Sequence, residues 1–386
     1  MRILITTFTF APQANGVAIV VGALASGLAR RGHEVIVATG QDAARPSQAA
    51  EANPRVVEFA ITLHDWPPDE VRRYQAFVQS FDGDIILCHG WQNWATDFAF
   101  AGFASSPARK VLLSHGYVAH RWVPYKKFAW GFGQWLKFQP YLWRTPRLMR
   151  AFDHIVFLSA REDFNRFFDL WLLRRLRAPE CSAIPNGTFM EEPGPAGPDF
   201  RQQHGLGGKV MVLCVSAYYE GKNQELAVRA FRRAGLAEAV LVFIGNEFTA
   251  YARQVMALDS RLAQTQPLGR VVFLEKLGRD TIQAAYRTAD LFLMTSKGET
   301  QPLVILDAMA CGKPFLSTDV GCVADLPGGI AVRTGTQLSR ALKDLCLDAP
   351  RREALGRAGL EACRTSYNWH SVVDAYERLF QHLVRK

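Results

Sequence analysis

Apolar residues recur along the chain in two alternating periods. RILITTF is a short apolar run of the kind that becomes a buried strand, GVAIVVGALASGLARRG carries helical spacing and closes on Gly32, and HEVIVATG returns to strand. DIILCHG, KVLLSHG, HIVFLSA and CSAIPNG continue the series, each bounded by polar residues or glycine and separated by helix-compatible stretches. Such alternation predicts a parallel sheet covered by helices. The rhythm breaks at IPNGTFMEEPGPAGPDF, where four prolines and three glycines between Pro185 and Pro198 read as a linker. A first domain is therefore expected over 1–186.

Strand and helix patterns then restart with VMVLCVSA, NQELAVRAFRRAG, AVLVFIG, YARQVMAL, RVVFLEK, DTIQAAYRTA, DLFLMTS, PLVILDAMACG and KPFLSTDVG. This predicts a second domain over 187–369. The last amphipathic stretch, within 370–386, can join either domain, with the first the expected host. The expected class is α/β, with two Rossmann-like parallel-sheet domains facing a central crevice and ligands beyond the carboxyl ends of strands.

Apolar residues make up 49% and charged residues 21% of the 386, which fits a folded globular chain, and no apolar run reaches the length that spans a bilayer. Seven cysteines without a C-x-x-C pair argue against a disulfide framework or a zinc cage, so a reducing cytoplasm is expected. The opening MRILITTFTF reads as a strand, not an export signal. The net charge of +9 is uneven, because residues 121–150 hold seven Lys or Arg, nine aromatics and no acid. Three readings fit that segment: a helical cover packed on the first domain, a surface for anionic membrane, or a nucleic-acid platform.

TSKGETQPLVILDAMACGKPFLSTDVG carries the most chemistry. A strand runs through Glu299 into a helix whose first turn is expected to contain Pro302, and a helix N-terminus offers unpaired N–H groups to a phosphate. Asp307 falls roughly 7 Å further along that helix, placed for a second group such as a ribose; a capping Glu299 and an interfacial Asp307 are the plainer alternative. Lys222 starts another helix beside Asn223, an expected cap, where a cation opposes the macrodipole unless an anion binds. His115 and His89 follow apolar strands, at their carboxyl ends. The D-G-D of Asp82 and Asp84 precedes its strand and reads as a turn. A single glycine in FTFAPQANGVA and the lack of a Walker A sequence disfavour a dinucleotide enzyme or a P-loop ATPase.

On these stretches, in this order, the chain resembles the retaining glycosyltransferases of family 4, which have the GT-B fold. Their motif is Glu, seven residues, Glu, then an AMACGKP-like run; here it reads Glu299, seven residues, Asp307 and AMACGKPFLSTDVG. The resemblance implies a nucleotide-diphosphate sugar as co-substrate, no other cofactor, no metal, and a glycan or lipid-linked acceptor. It implies catalytic roles for His115 and Glu299, and donor contacts from Gly16, Lys222, Leu277, Leu303, Val304 and Asp307. Three departures bear on the diphosphate: Ala217 stands where an arginine is usual, Pro302 replaces a glycine, and the second acid is shortened to Asp307. The acceptor would meet the basic aromatic segment, so Lys126, Lys127, Trp130, Trp135 and Lys137 are candidates for acceptor or peripheral membrane contact at the inner face of the cell membrane, with no nucleic-acid partner. A nucleotide-sugar epimerase of similar fold and a degenerate, non-catalytic nucleotide-sugar-binding or scaffold protein are the rival readings.

Overall fold

The computed structural model describes residues 1–49, 52–117, 128–177, 179–188 and 200–386; within 128–137 only Gly133 and Leu136 have described surroundings. The chain divides into two compact units, Met1–Asn186 with Trp369–Lys386, and Gly187–Asn368.

The first unit contains, in order, β1 (Arg2–Thr6), α1 (Gly16–Arg30), β2 (Glu34–Gly40), β3 (Arg55–Phe59), α2 (Pro68–Gln79), β4 (Ile85–His89), α3 (Trp94–Phe103), β5 (Arg109–Ser114), α4 (Phe128–Met149), β6 (His154–Phe157), α5 (Phe168–Leu176) and β7 (Glu180–Ala183). Its seven strands are ordered β3-β2-β1-β4-β5-β6-β7 and pair in parallel. Ile3, Leu4 and Ile5 of β1 and Ile85, Ile86 and Leu87 of β4 are fully buried, as strands covered on both faces must be.

The second unit contains α6 (Phe200–Gln203), β8 (Val210–Val215), α7 (Gln224–Ala234), β9 (Ala239–Gly245), α8 (Ala250–Thr265), β10 (Arg270–Glu275), α9 (Arg279–Thr288), β11 (Leu291–Met294), α10 (Leu303–Ala310), β12 (Phe315–Thr318), β13 (Gly329–Val332), α11 (Gly335–Leu347) and α12 (Ala349–Thr365). Six parallel strands run β10-β9-β8-β11-β12-β13. The chain then returns through α13 (Trp369–Arg385), which belongs to the first unit. There α13 crosses α1 so closely that a Cβ on Gly27 would lie 2.5 Å from Val373 Cγ2, and Arg31 bonds Glu377 at 2.8 Å.

Two strands escape the periodicity argument. β3 and β13 are both edge strands and only partly buried, so neither needs the continuous apolar run of a central strand.

In both sheets the strand order reverses beside the first strand, between β1 and β4 and between β8 and β11. Loops leaving adjacent strands at such a reversal diverge to opposite faces and open a crevice at the carboxyl ends.

The second unit encloses one charge pair almost completely. Arg232 of α7 is 5% exposed and holds Asp259 of α8 through two bonds, Nε–Oδ1 2.7 Å and Nη2–Oδ2 3.0 Å, while Nη1 donates to the carbonyls of Leu268 and Gly269. The guanidinium thus ties two helices to the turn that starts β10. Removing one partner leaves the other charge buried and unpaired. Asp259→Ala should therefore lower the unfolding free energy by about 3 kcal/mol, read as a reduced urea midpoint at unchanged slope.

Candidate functional site

The carboxyl ends of β8 and β11 hold the main constellation. After β8 the chain turns through Tyr219 and Gly221 to Lys222, with the Lys222 N–H donating to the Tyr219 carbonyl at 2.9 Å. After β11 it runs through Thr295 and Lys297 to Glu299. The two loops are laced together: Thr295 Oγ1 donates to the carbonyls of Lys222 and Asn223 at 3.1 and 3.0 Å, and the Lys297 N–H donates to Gly221 at 2.8 Å. Held this way, Lys222 Nζ lies 2.6 Å from Glu299 Oε1, with side chains 23% and 17% exposed.

Asn223 does not cap α7 as expected. It lies in the left-handed region, φ 53° and ψ 43°, not in the extended conformation from which a cap side chain reaches the first-turn amides, and it makes no side-chain cap bond; its carbonyl accepts from Thr295. An asparagine tolerates that conformation better than most residues. Pro302 is likewise displaced from its expected place. It is the residue preceding the helix, φ −76° and ψ 118°, and α10 begins at Leu303 with no side-chain cap. A proline there removes one competing N–H and leaves the first-turn amides of Leu303 and Val304 to be satisfied by something else.

The Glu299 loop is clamped from behind by the turn after β12. Cys322 donates its N–H to Thr300 at 3.0 Å, and Thr318 Oγ1 donates to Ser296 at 2.7 Å. Gly321 has φ +52°, and a Cβ there would fall onto the carbonyl oxygens of Thr300 and Glu299. Only glycine permits this approach.

Asp307 sits on the second turn of α10, but its carboxylate accepts from Thr188 Oγ1 at 2.8 Å, a partner from the start of the same unit. Desolvation pushes its pKa up to about 6. Leu277 is half-buried in the loop between β10 and α9, and Leu303 and Val304 are half-buried in the first turn of α10. The Ala217 carbonyl accepts from Gln224, a buried residue that the sequence reading overlooked.

In the first unit, Gly16 opens α1, preceded by Asn15, which caps the helix by accepting from the Ala18 N–H at 3.0 Å. His115 lies just beyond β5. Its Nε2 is 3.2 Å from Nδ1 of His89, with the rings stacked at 5.4 Å. Burial lowers both pKa values, that of His115 to about 4, so both imidazoles are neutral near pH 7 and offer one N–H each. Beside them Asp169, fully buried, accepts from Trp91 Nε1 at 2.9 Å and from Ser114. Asp169 and Trp91 were missed because each stands alone in its stretch, and only the packing of β4, β5 and α5 unites them.

Lys126 and Lys127 lie outside the described residues, as do the side chains of Trp130, Trp135 and Lys137, whose backbone belongs to α4. Among the described residues no group of three or more His, Cys, Asp or Glu side chains forms a metal-binding cluster.

Two doubly wound parallel sheets with polar constellations at their strand ends define the GT-B class of glycosyltransferases. Residues 14–187 match the family described as Glycosyltransferase Family 4 and residues 209–348 that described as Glycosyl transferases group 1, and the chain belongs to this family of glycosyltransferases, which use nucleotide-sugar donors. It is 24% identical to the GDP-mannose-dependent alpha-(1-6)-phosphatidylinositol monomannoside mannosyltransferase of Mycolicibacterium smegmatis over 95% of each chain. It is 25% identical to the lipopolysaccharide core mannosyltransferase LpcC of Rhizobium leguminosarum bv. viciae, over 60% of this chain and 71% of that one. Sucrose-phosphate synthase of Thermosynechococcus elongatus shares the fold at a TM-score of 0.79 and 20% identity, covering 100% of this chain and 99% of that one. Anabaena Alr3699/HepE, solved with UDP and glucose, does so at 0.73 and 16%, covering 99% and 100%.

Two outcomes follow from this geometry. Gly321→Ala should displace the Glu299 loop and lower donor turnover more than tenfold with a folded chain, checked by steady-state rates beside a circular dichroism melt. For Asp307, a folded pKa raised above its usual value means that its favourable contribution is complete below about pH 4 and lost as the pH rises through about 6. Asp307→Asn keeps an acceptor for Thr188 without the charge, so it should stabilise the protein by about 1 kcal/mol at pH 8 and hardly at all at pH 4, in urea unfolding at the two pH values.

Proposed function

We propose that the protein transfers a sugar from a nucleotide-diphosphate donor held by the second unit to a glycan or lipid-linked acceptor taken by the first, with retention of anomeric configuration and without a metal ion. The observation that carries this reading is the Lys222–Glu299 pair beside the uncapped N-terminus of α10. A diphosphate arriving there draws Lys222 toward itself and meets the amides of Leu303 and Val304, while Glu299 is released to accept hydrogen bonds from hydroxyls of the donor sugar. The ion pair thus keeps the site neutral and the two side chains in place until the donor replaces one partner.

As the bond between the anomeric carbon and the phosphate oxygen lengthens, negative charge grows on the leaving diphosphate, where the ammonium and the helix end stabilise it. The acceptor hydroxyl attacks from the same face, its oxygen bonds to the anomeric carbon, and its proton passes to an oxygen of the departing phosphate. His115, neutral by burial, contributes an N–H to the transferring sugar without taking its proton. Asp307 binds the nucleotide ribose in its ionised form. The two mannosyltransferase relatives, one named for a phosphatidylinositol mannoside and one for a lipopolysaccharide core, support a lipid-linked acceptor.

Lys222→Ala should lower kcat/KM on the order of a hundredfold, about 3 kcal/mol of transition-state stabilisation, and Glu299→Gln should act chiefly on kcat. The measurement is turnover of a panel of nucleotide sugars in the presence of EDTA, with the anomeric proton coupling of the product read by NMR. An inverted product, or dependence on added metal, contradicts the mechanism. No binding of UDP, GDP or ADP at millimolar concentration leaves the scaffold reading standing, and donor isomerised without acceptor leaves the epimerase.

A further inference from the structure

The outer face of α4 is not used by the steps of the proposed transfer. At about 100° per residue, Gly133, Leu136, Pro140, Trp143, Arg144 and Arg147 fall within one arc of roughly 120°, and all six are exposed. Trp143, at 81%, is the most exposed large apolar side chain among the described residues, and Leu136 is 56% exposed. Arg150, exposed as well, extends the same stripe past the end of the helix.

The opposite face is engaged where its residues are described. Tyr141 donates its hydroxyl to Asp97 at 2.8 Å and accepts the Gln92 N–H at 3.1 Å, Thr145 bonds Tyr117, and Thr145 and Met149 are completely buried. These bonds fix the rotation of α4 on the first unit, so the stripe is presented, not folded away. Packing on the first unit accounts for the inner side of this segment and leaves the outer side unexplained.

Chemistry selects the occupant. A tryptophan and a leucine flanked by guanidinium groups, in a segment without one acid from 121 to 150, complement a surface that is apolar beneath and anionic above. A second copy seated by two-fold symmetry would set arginine against arginine. A nucleic acid would find one ring to stack on, beside a leucine and a proline that cannot stack. We propose that this face docks on a membrane surface bearing anionic lipid headgroups, with Leu136 and Trp143 entering the interface and Arg144, Arg147 and Arg150 lying among the phosphates. The docking rests on the lipid-linked acceptor reading for its purpose alone, since the binding needs neither donor nor acceptor.

The test is co-sedimentation of the full chain, without nucleotide sugar, on vesicles of phosphatidylcholine and of phosphatidylcholine mixed with phosphatidylglycerol, at low and high salt. Each cation near the anionic surface contributes about fivefold, so Arg144→Glu with Arg147→Glu should reduce partition onto the anionic vesicles by at least about twentyfold, and high salt should do likewise. Leu136→Ser with Trp143→Ser should weaken binding at every salt concentration. Because these side chains are exposed, both variants should melt with the parent. Equal partition onto neutral and anionic vesicles, or indifference of vesicle binding to the arginine reversals, overturns the proposal. Oligonucleotide binding lost on reversal while vesicles are ignored replaces it with a nucleic-acid surface, and loss of self-association alone replaces it with a second copy. Turnover of nucleotide sugars is scored separately, so vesicle binding without turnover refutes the transferase reading and leaves the docking face, and the converse result does the opposite.

Discussion

The second unit depends on β8 and β11 lying side by side although three helices and two strands separate them in the chain. Parallel pairing delivers both carboxyl ends to one edge of the sheet, and the single Thr295 hydroxyl proton, shared between the Lys222 and Asn223 carbonyls, then joins the two loops. An ammonium and a carboxylate that would be solvated separately on independent loops are thereby brought to 2.6 Å. The distortion is absorbed locally: Asn223 takes a left-handed backbone, Gly321 lets two carbonyls approach, and α10 starts after a proline without a cap. Each looks like a small defect, and all three lie at the strand ends where the proposed diphosphate would bind.

Burial divides the charged groups by role. Arg232 and Asp259 lie deep between helices, where a bidentate pair with carbonyl acceptors satisfies both ions and welds α7 to α8. Lys222 and Glu299 pair at the strand ends, partly in water, where parting the two charges costs far less than it would between the helices. Asp307 stands between these extremes, bonded to one hydroxyl and poised to titrate near pH 6. In the first unit, desolvation keeps His89 and His115 neutral, which makes them hydrogen-bonding groups and removes them as charges.

The basic aromatic segment shows how one composition serves two surfaces. Tyr141 and Thr145 use their hydroxyls inward, against Asp97 and Tyr117, while Trp143 and Arg147 face outward on the same helix. Counting cations and rings along the chain treats these residues as equivalent. Helical rotation separates them.

The alternation of strands and helices was legible in the sequence, because buried parallel strands must be continuously apolar, and the Glu299 to Asp307 stretch could be read as a strand end running into a helix start. Edge strands β3 and β13 left little trace, since one side of an edge needs no apolar partner. Helix starts at Asn223 and Pro302 were misread because a cap is decided by the backbone conformation of the residue before the helix, which the surrounding loops set. Which charges pair, which imidazoles share a contact and which face of α4 meets solvent were decided by the tertiary structure alone: each requires two segments to be brought within a few ångströms, and residue order along a chain carries no distance between them.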